Sequence, residues 1–451
     1  MKKDTATPNR LSANWILVLL SVLGTALVIL YRAGLRAEVP GDIHWFLKIV
    51  GVQAPLYLAA VWLSLRRAAD SRAALIVVLA FAALFRVSIL FSEPRLSDDL
   101  YRYIWDGRVQ AAGINPYRYI PADPALAHLR DEKIYPYINR REYAPTMYPP
   151  LAEAIFLLTT RVSESVTWMK ATMVLFEGIA MWAIAQLLAS FGLPRQHLLI
   201  YAWHPLAVWE FAGNGHFDAI VIAFIALALL ARRKNAESVT GITLACATLV
   251  KFFPLVLLPA LYKRWGWRIP TLFAATVVVA YLPYLGVGPR GVLGFLPGYT
   301  HEQRLVSGEQ FFLLNAVRRL FNGSVPSLAY VIAALMVLVV LALWLWRNQR
   351  QQDGYIRSSV ILASVFMILL SPHWPWYFAW LIPFLCFVRA APIFYLTLAS
   401  FLLYLTWYGD VPERVFTVHA LLYVPTLILG VITLWLSRRK LQSNHKSLID
   451  E

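Results

Sequence analysis

Two adjacent carboxylates, Asp98 and Asp99, are the residues of this chain best suited to chemistry. They stand near the head of Ser97-Asp98-Asp99-Leu100-Tyr101-Arg102-Tyr103-Ile104-Trp105-Asp106-Gly107-Arg108, a run that leads on to Asn115-Pro116-Tyr117. A carboxylate within hydrogen-bond reach of a hydroxyl can take its proton as the oxygen attacks. Two neighbouring acids can also bind a hard divalent cation through oxygen, and a solvated acid pair at a helix end has the same sequence. Residues 93–150 hold eight of the chain's 25 acidic residues, together with eight tyrosines and Trp105. Acids beside aromatics at the foot of a membrane helix point to sugar chemistry at a membrane surface.

The elements that must position these acids are apolar. A length of 451 residues would by itself suggest two or three soluble domains, but 59% hydrophobic and 15% charged residues exclude that reading. Apolar runs recur throughout, as in Trp15–Tyr31, Ala73–Phe91, Leu328–Trp346 and Ala391–Tyr408. Runs near 20 residues match a hydrocarbon core of about 30 Å crossed at about 1.5 Å per residue. The pattern predicts an all-α polytopic membrane protein forming a single domain over 1–451, with about 12 spans. These lie near 14–31, 46–65, 73–92, 168–190, 197–213, 216–231, 268–286, 325–346, 357–371, 374–388, 391–408 and 415–436. The segment 238–262 is basic at both flanks, so it is expected to enter and return, or to cross twice as short helices, with Lys251-Phe252-Phe253-Pro254 at the break. Proline removes a backbone donor, and broken backbone at membrane depth survives only inside protein or beside a cavity.

The net charge of +16 is not a nucleic-acid signature, because the cations sit in short clusters between apolar runs. These are Lys2, Lys3 and Arg10; Arg66, Arg67 and Arg72; Arg232, Arg233 and Lys234; Lys263, Arg264 and Arg268; Arg347, Arg350 and Arg357; and Arg438, Arg439 and Lys440. By the positive-inside rule they mark the cytoplasmic side, with both termini there. The long loop after the third span, 93–150, balances eight acids with eight bases and is expected outside. It continues into a short amphipathic helix at 151–162. A second outer loop, 287–324, carries Tyr299-Thr300-His301-Glu302-Gln303-Arg304 and ends with Phe311–Leu320, while 441–451 reads as a disordered cytoplasmic tail. Cys246 and Cys386 both lie in apolar runs and frame no disulfide. No small-residue cleavage site follows Tyr31, so an uncleaved first span is expected.

Further motifs recur at membrane boundaries. Asp99-Leu100-Tyr101-Arg102-Tyr103 has the form Asp-x-x-Arg-Tyr, and Tyr148-Pro149-Pro150, Asn214-Gly215-His216-Phe217-Asp218, Val250-Lys251-Phe252-Phe253-Pro254 and Ser371-Pro372-His373-Trp374-Pro375-Trp376-Tyr377 follow in order. Over about residues 85–390 the chain resembles the C-type integral-membrane glycosyltransferases, closest to bacterial family 87-like enzymes and polyprenol-phosphomannose-dependent mannosyltransferases. The resemblance implies a bacterial plasma membrane location, a polyprenyl-phosphate donor of a hexose (mannose), a glycan or glycolipid acceptor, and inverting transfer on the outer face. It implies an acidic base in the first outer loop, which the spacing to Arg102-Tyr103 carries onto Asp99 with Asp98 close behind. It also brings Arg102, Tyr103, Tyr148, Trp376 and Tyr377 forward as substrate-binding candidates. Two extra spans before the loop depart from many relatives.

The other candidates each have two readings. Lys251, a cation in an apolar run, can reach a donor phosphate as a point charge or snorkel towards the cytoplasm. His216 and Asp218 at an outer helix mouth serve as a cap or touch donor or acceptor. His373, Trp376 and Tyr377 belong to an interfacial aromatic belt or to a second mouth. Arg304 can neutralise a donor phosphate through bidentate contacts or be an ordinary loop arginine. Arg86, Glu177 and Glu210 read as buried structural pairs. No cofactor is called for, although a divalent metal at the acid pair is compatible with the sequence, and no Gly-rich nucleotide loop is present. A transporter or flippase of lipid-linked sugars is the alternative function, and a non-catalytic assembly partner a third; transporters show repeated halves with paired broken helices, and only one broken segment is expected.

Overall fold

The computed structural model describes residues 10–37, 41–66, 70–263, 265–288, 291–323, 325–348, 354–408 and 411–447; Lys2, Lys3, Arg67, Arg264, Arg350 and the tail beyond 447 lie outside the described residues. The described residues are helical or irregular and contain no strand. Among the described residues seven helices are long and apolar enough to cross a membrane: Asn14–Gly34, Ile43–Ser64, Arg72–Leu90, Val166–Ser190, Arg268–Val287, Ser327–Asn348 and Pro412–Ser437. The last continues as helix to Ser447, so the expected disordered tail is helical over its first residues.

The other expected crossings are shorter or broken. Asp218–Arg233 and Gly354–Leu370 are continuous but short. The stretch near 197–213 is assembled from Arg195–Leu198, Leu199–Ala202, Pro205–Ala207 and a wide turn at Val208–Gly213. Pro375–Leu381 is a tight helix before Ile382–Leu385, and Ala391–Ala399 runs into another at Ser400–Tyr408. The expectation of one broken segment is therefore corrected to several. Prolines that supply no N–H explain the breaks at Pro205, Pro254 and Pro375.

The segment 238–262 is a hairpin. Glu237–Val250 forms one limb, and Phe253–Leu257 with Leu258–Leu261 forms the other. Its ends meet, since Lys263 Nζ lies 3.3 Å from Glu237 Oε1, and Arg232 Nε donates to the Leu261 carbonyl at 3.0 Å. The first limb, 14 residues, is about 21 Å long, which holds Lys251 far from the basic end.

The polar segment after the third span carries the helix Asp99–Ala111 and two tight turns, Pro124–Leu129 and Tyr135–Tyr137. The expected amphipathic helix is present at Pro150–Val162. It packs against Asp99–Ala111 so closely that a Cβ on Gly107 would collide with the Phe156 carbonyl.

A buried ion pair ties the third and fourth long helices together. Arg86 Nε and Nη2 donate to Glu177 Oε2 and Oε1 at 2.9 and 2.5 Å. Arg86 Nη1 completes its donors on the carbonyls of Ala82 and Ala202, each at 2.9 Å. Both side chains are almost wholly shielded, at 2% and 0% exposure, so the expected structural role is met by a bidentate pair. Glu210 joins a different group, taking hydrogen bonds from Tyr404 OH at 2.8 Å and Asn214 Nδ2 at 3.1 Å. Breaking a buried pair on one side costs about 3–5 kcal/mol, whereas replacing both partners with apolar residues is often neutral. Glu177→Leu or Arg86→Met is accordingly expected to lower the unfolding temperature in detergent strongly, and the double variant to recover most of the loss; equal losses in single and double variants would contradict this account.

Candidate active site

Four stretches of chain enclose a cavity of about 650 Å³. The start of the Asp99–Ala111 helix contributes Asp98 and Asp99, and the loop beneath it Asn139, Arg140, Tyr143 and Tyr148. Lys251 and Phe253 enter from the hairpin tip; Tyr299, Glu302 and Gln310 from the second polar segment; His373, Trp376 and Tyr377 from the break after Leu370. The helix Gly354–Leu370 stops there because Ser371 turns left-handed, with φ 49°, and Pro372 follows. The Gln310 amide holds that turn by donating to the Ser371 carbonyl at 2.6 Å.

The acid pair sits at a helix end without acting as its cap. Asp98 makes no side-chain capping bond, and the Asp99 N–H is met instead by Ser97 Oγ at 3.2 Å. The Asn139 amide donates to Asp98 Oδ1 at 2.9 Å and to Asp99 Oδ1 at 2.7 Å, bridging the two carboxylates. Asp99 Oδ2 stays available beside the cavity, with the side chain 22% exposed. Burial, and then the Asp98 charge, pushes the Asp99 carboxyl up to about 6 against the opposing pull of Arg140, Asn139 and Lys251. A carboxylate near neutrality is well matched to general-base work. Among the described residues no group of three or more His, Cys, Asp or Glu side chains is arranged to hold a metal ion; Asp98 and Asp99 offer two carboxylates and no more.

Lys251 stands across the cavity. Its ammonium lies 2.8 Å from Asp218 Oδ1 and 3.8 Å above the centre of the Tyr377 ring. Snorkelling towards the basic end is thus not its conformation: it points to the opposite end of the hairpin. The Tyr377 hydroxyl shares a 2.5 Å hydrogen bond with Tyr299 OH, and Trp374 stacks on Trp376 with centroids 5.1 Å apart. Trp376 in turn covers the imidazole of His216 at 3.9 Å. The turn that carries His216 needs Gly215: its φ is +75°, and a Cβ there would strike Leu100.

The structure brings Asp98, Asp99, Lys251, Tyr148, His373, Trp376 and Tyr377 to the lining of one cavity, with His216 and Asp218 packed immediately behind Trp376 and Lys251. Arg304 belongs to an adjoining cavity of about 590 Å³ that shares Glu302, Gln303, His373 and Trp374, and it lies 3.2 Å from Glu309. Arg102 and Tyr103 do not line the cavity. Arg102 is buried on Asp106 at 2.8 Å and donates to the Ala144 carbonyl at 3.0 Å. Tyr103 stacks on Phe156 at 4.7 Å and meets Tyr148 edge-on at 5.3 Å, so it supports the wall from behind. Sequence reasoning missed Asn139, Arg140, Tyr299 and Glu302. Arg140 Nε lies 2.6 Å from Glu302 Oε2, and Glu302 Oε1 accepts from Tyr143 OH at 2.7 Å, joining the two polar segments. Arg140-Arg141 is the one adjacent cation pair between 93 and 150 and was the available signal; nothing in the sequence distinguishes Asn139.

Comparison with known proteins places this chain in a family. Residues 13–267 match the family described as alpha-(1->6)-mannopyranosyltransferase, N-terminal domain. The chain is also 22% identical over 344 residues to alpha-(1->6)-mannopyranosyltransferase A of Mycobacterium tuberculosis, covering 71% of this chain and 67% of that one. The family match spans more than half the chain, from the first long helix through the hairpin that carries Lys251. With more than half of its length matched to that family, this chain is a member of the alpha-(1->6)-mannopyranosyltransferase family.

Proposed function

We propose that the chain transfers mannose from a polyprenyl-phosphate donor to the 6-hydroxyl of a glycan or glycolipid acceptor, with inversion, on the outer face of a bacterial plasma membrane. The observation that carries this reading is the single cavity in which Asp99, Lys251 and the Trp376–Tyr377 wall face one another. Asp99 takes the proton of the acceptor hydroxyl as its oxygen bonds to the anomeric carbon. The bond from that carbon to the phosphate oxygen breaks, and its electron pair leaves on the phosphate. A phosphate is already a good leaving group, so no strong general acid is needed. An α product formed by inversion calls for a β-linked donor.

Lys251 meets the departing phosphate as a compact charge, exchanging part of its contact with Asp218, and Arg304 supplies a second cation from the adjoining cavity. Tyr148, Trp376 and Tyr377 hold the sugar faces, and His373 closes the mouth shared by the two cavities. Asp98 raises the basicity of Asp99, while Arg102 and Tyr103 serve the site by fixing the helix beneath it. The polyprenyl tail lies among the apolar helices, and twelve crossings return the chain to the cytoplasm.

The outward orientation is supported by polarity along the helices. Asp218–Arg233 begins at the cavity and ends on Arg232 and Arg233, about 24 Å away. The hairpin likewise carries Lys251 at its tip and Lys263 at its base. Positive charge is retained on the cytoplasmic side, which leaves the cavity outside. Mannosyl transfer, rather than transport, accords with the family to which the chain belongs.

Purified protein given polyprenyl-phosphomannose and a mannoside acceptor is expected to form an α-(1→6) product, while a nucleotide-linked mannose gives none; transfer from the nucleotide sugar alone would overturn the proposal. Asp99→Asn should lower turnover by about 10²- to 10⁴-fold, and wild-type turnover in that variant would remove Asp99 from the chemistry. The base must be ionised to work, and its carboxyl is pushed up to about 6. Turnover measured against pH is therefore expected to be level above that value and to fall about tenfold per unit below it. Lys251→Met should raise the donor KM at least about tenfold, since a charge-assisted contact to phosphate is lost; an unchanged donor KM would assign the phosphate elsewhere.

A further inference from the structure

We infer that His216, braced by Glu210, is the positioning residue that aims the Asp99 carboxylate at the acceptor hydroxyl. This rests on the reading of Asp99 as the base and adds to it a buried array behind the cavity wall. His216 is 1% exposed, and among the described residues neither of its ring nitrogens completes a hydrogen bond. Two unsatisfied nitrogens on a buried imidazole are costly unless a partner moves into range. The ring is held between candidates for both: Nδ1 lies 4.0 Å from Asp99 Oδ2, and Nε2 lies 3.4 Å from Glu210 Oε2.

The ring's place is fixed from three sides. Trp376 stacks on it at 3.9 Å with planes 19° apart. The His216 N–H donates to the Glu210 carbonyl at 2.9 Å, which locks the turn. Glu210 is itself anchored by Tyr404 OH and Asn214 Nδ2.

The arrangement dictates the tautomer. Asn139 already occupies Asp99 Oδ1, so Oδ2 is the oxygen left to face both the imidazole and the acceptor. A neutral His216 with its proton on Nδ1 donates to Oδ2, and its bare Nε2 then accepts from Glu210, which meets it as the neutral acid. Taking an uncharged carboxyl out of water costs less than taking a carboxylate. No proton crosses the array; the imidazole orients a carboxylate, as the second hydrogen bond of a catalytic group commonly does. Contacts of this kind are characteristically long before substrate binds and tighten in the productive complex.

The test uses full-length protein and reads turnover, donor KM and the acid limb of the pH profile. The charged and polar groups around Asp99 are Ser97, Asp98, Asn139, Arg140, Lys251 and His216, with the hydroxyls of Tyr103, Tyr148, Tyr299, Tyr377 and Tyr404, and only His216 is changed. His216→Phe keeps the stack on Trp376 but removes the donor. It should lower kcat about tenfold, move the acid limb up by about one pH unit because the ionised carboxylate loses a hydrogen bond, and leave the donor KM little changed. His216→Asn places an amide N–H near the Nδ1 position and should keep the acid limb near wild type. His216→Gln places it near Nε2 and should shift the limb as Phe does. Equal limbs in the Asn and Gln variants overturn the inference even if the Phe variant fails to fold. A change confined to donor KM also overturns it and makes His216 a donor contact. Full turnover in Asp99→Asn overturns the base assignment instead, so the two failures are distinguishable.

Discussion

The ion pair between Lys251 and Asp218 is the contact on which the architecture of the site turns. A lysine inside an apolar run is expensive at membrane depth unless a partner meets it, and the 2.8 Å contact to Asp218 supplies one. That contact fixes the tip of the hairpin against the turn at 214–218. The Tyr377 ring beneath the ammonium brings in the break that follows Leu370. Three interruptions in otherwise apolar segments are thereby gathered at one level.

Backbone economy explains why they gather. N–H and C=O groups freed by a break must be paired by protein or face water, and one polar cavity serves several breaks at once. Asn214 shows the economy in detail. Its Nδ2 donates to Glu210, while its Oδ1 receives the backbone N–H of Leu96 at 3.2 Å, just before Asp98 and Asp99. The positive end of the Asp99–Ala111 helix dipole meets the acid pair at the same place. Arg232, Arg233 and Lys263 occupy the opposite ends of the helix and hairpin that carry Asp218 and Lys251, so the charge asymmetry of these elements and the cavity's position are two aspects of one chain path.

Much of this was legible in residue types. Seven apolar runs are single helices, and the basic flanks of 238–262 correctly implied a segment whose ends return to one side. The motifs that resembled a glycosyltransferase family contributed Asp99, Lys251, Tyr148 and the Trp374–Tyr377 aromatics of the cavity, about half of its lining. The breaks near 204, 375 and 400 were less visible, because an apolar run has the same composition whether it is one helix or several short ones. Arg102 and Tyr103 came forward as substrate-binding candidates through the Asp-x-x-Arg-Tyr motif that they share with Asp99. One turn along a helix is enough to place a side chain behind Tyr148 instead of beside it.

The sequence by itself determined that the protein is helical and membrane-embedded, where its cations lie, and which acid pair stands at a membrane boundary. Those properties follow from hydrophobicity, helical rise and local charge, which act within a few turns of chain. Only the tertiary structure decided that Asn139 bridges Asp98 and Asp99, that Arg140 joins Glu302, and that His216 lies between Asp99 and Glu210. These partners stand up to about 160 residues apart in the chain, and no local periodicity couples them. Their meeting is set by the cost of leaving charge and backbone unpaired in an apolar interior, a quantity that exists only once the helices are packed.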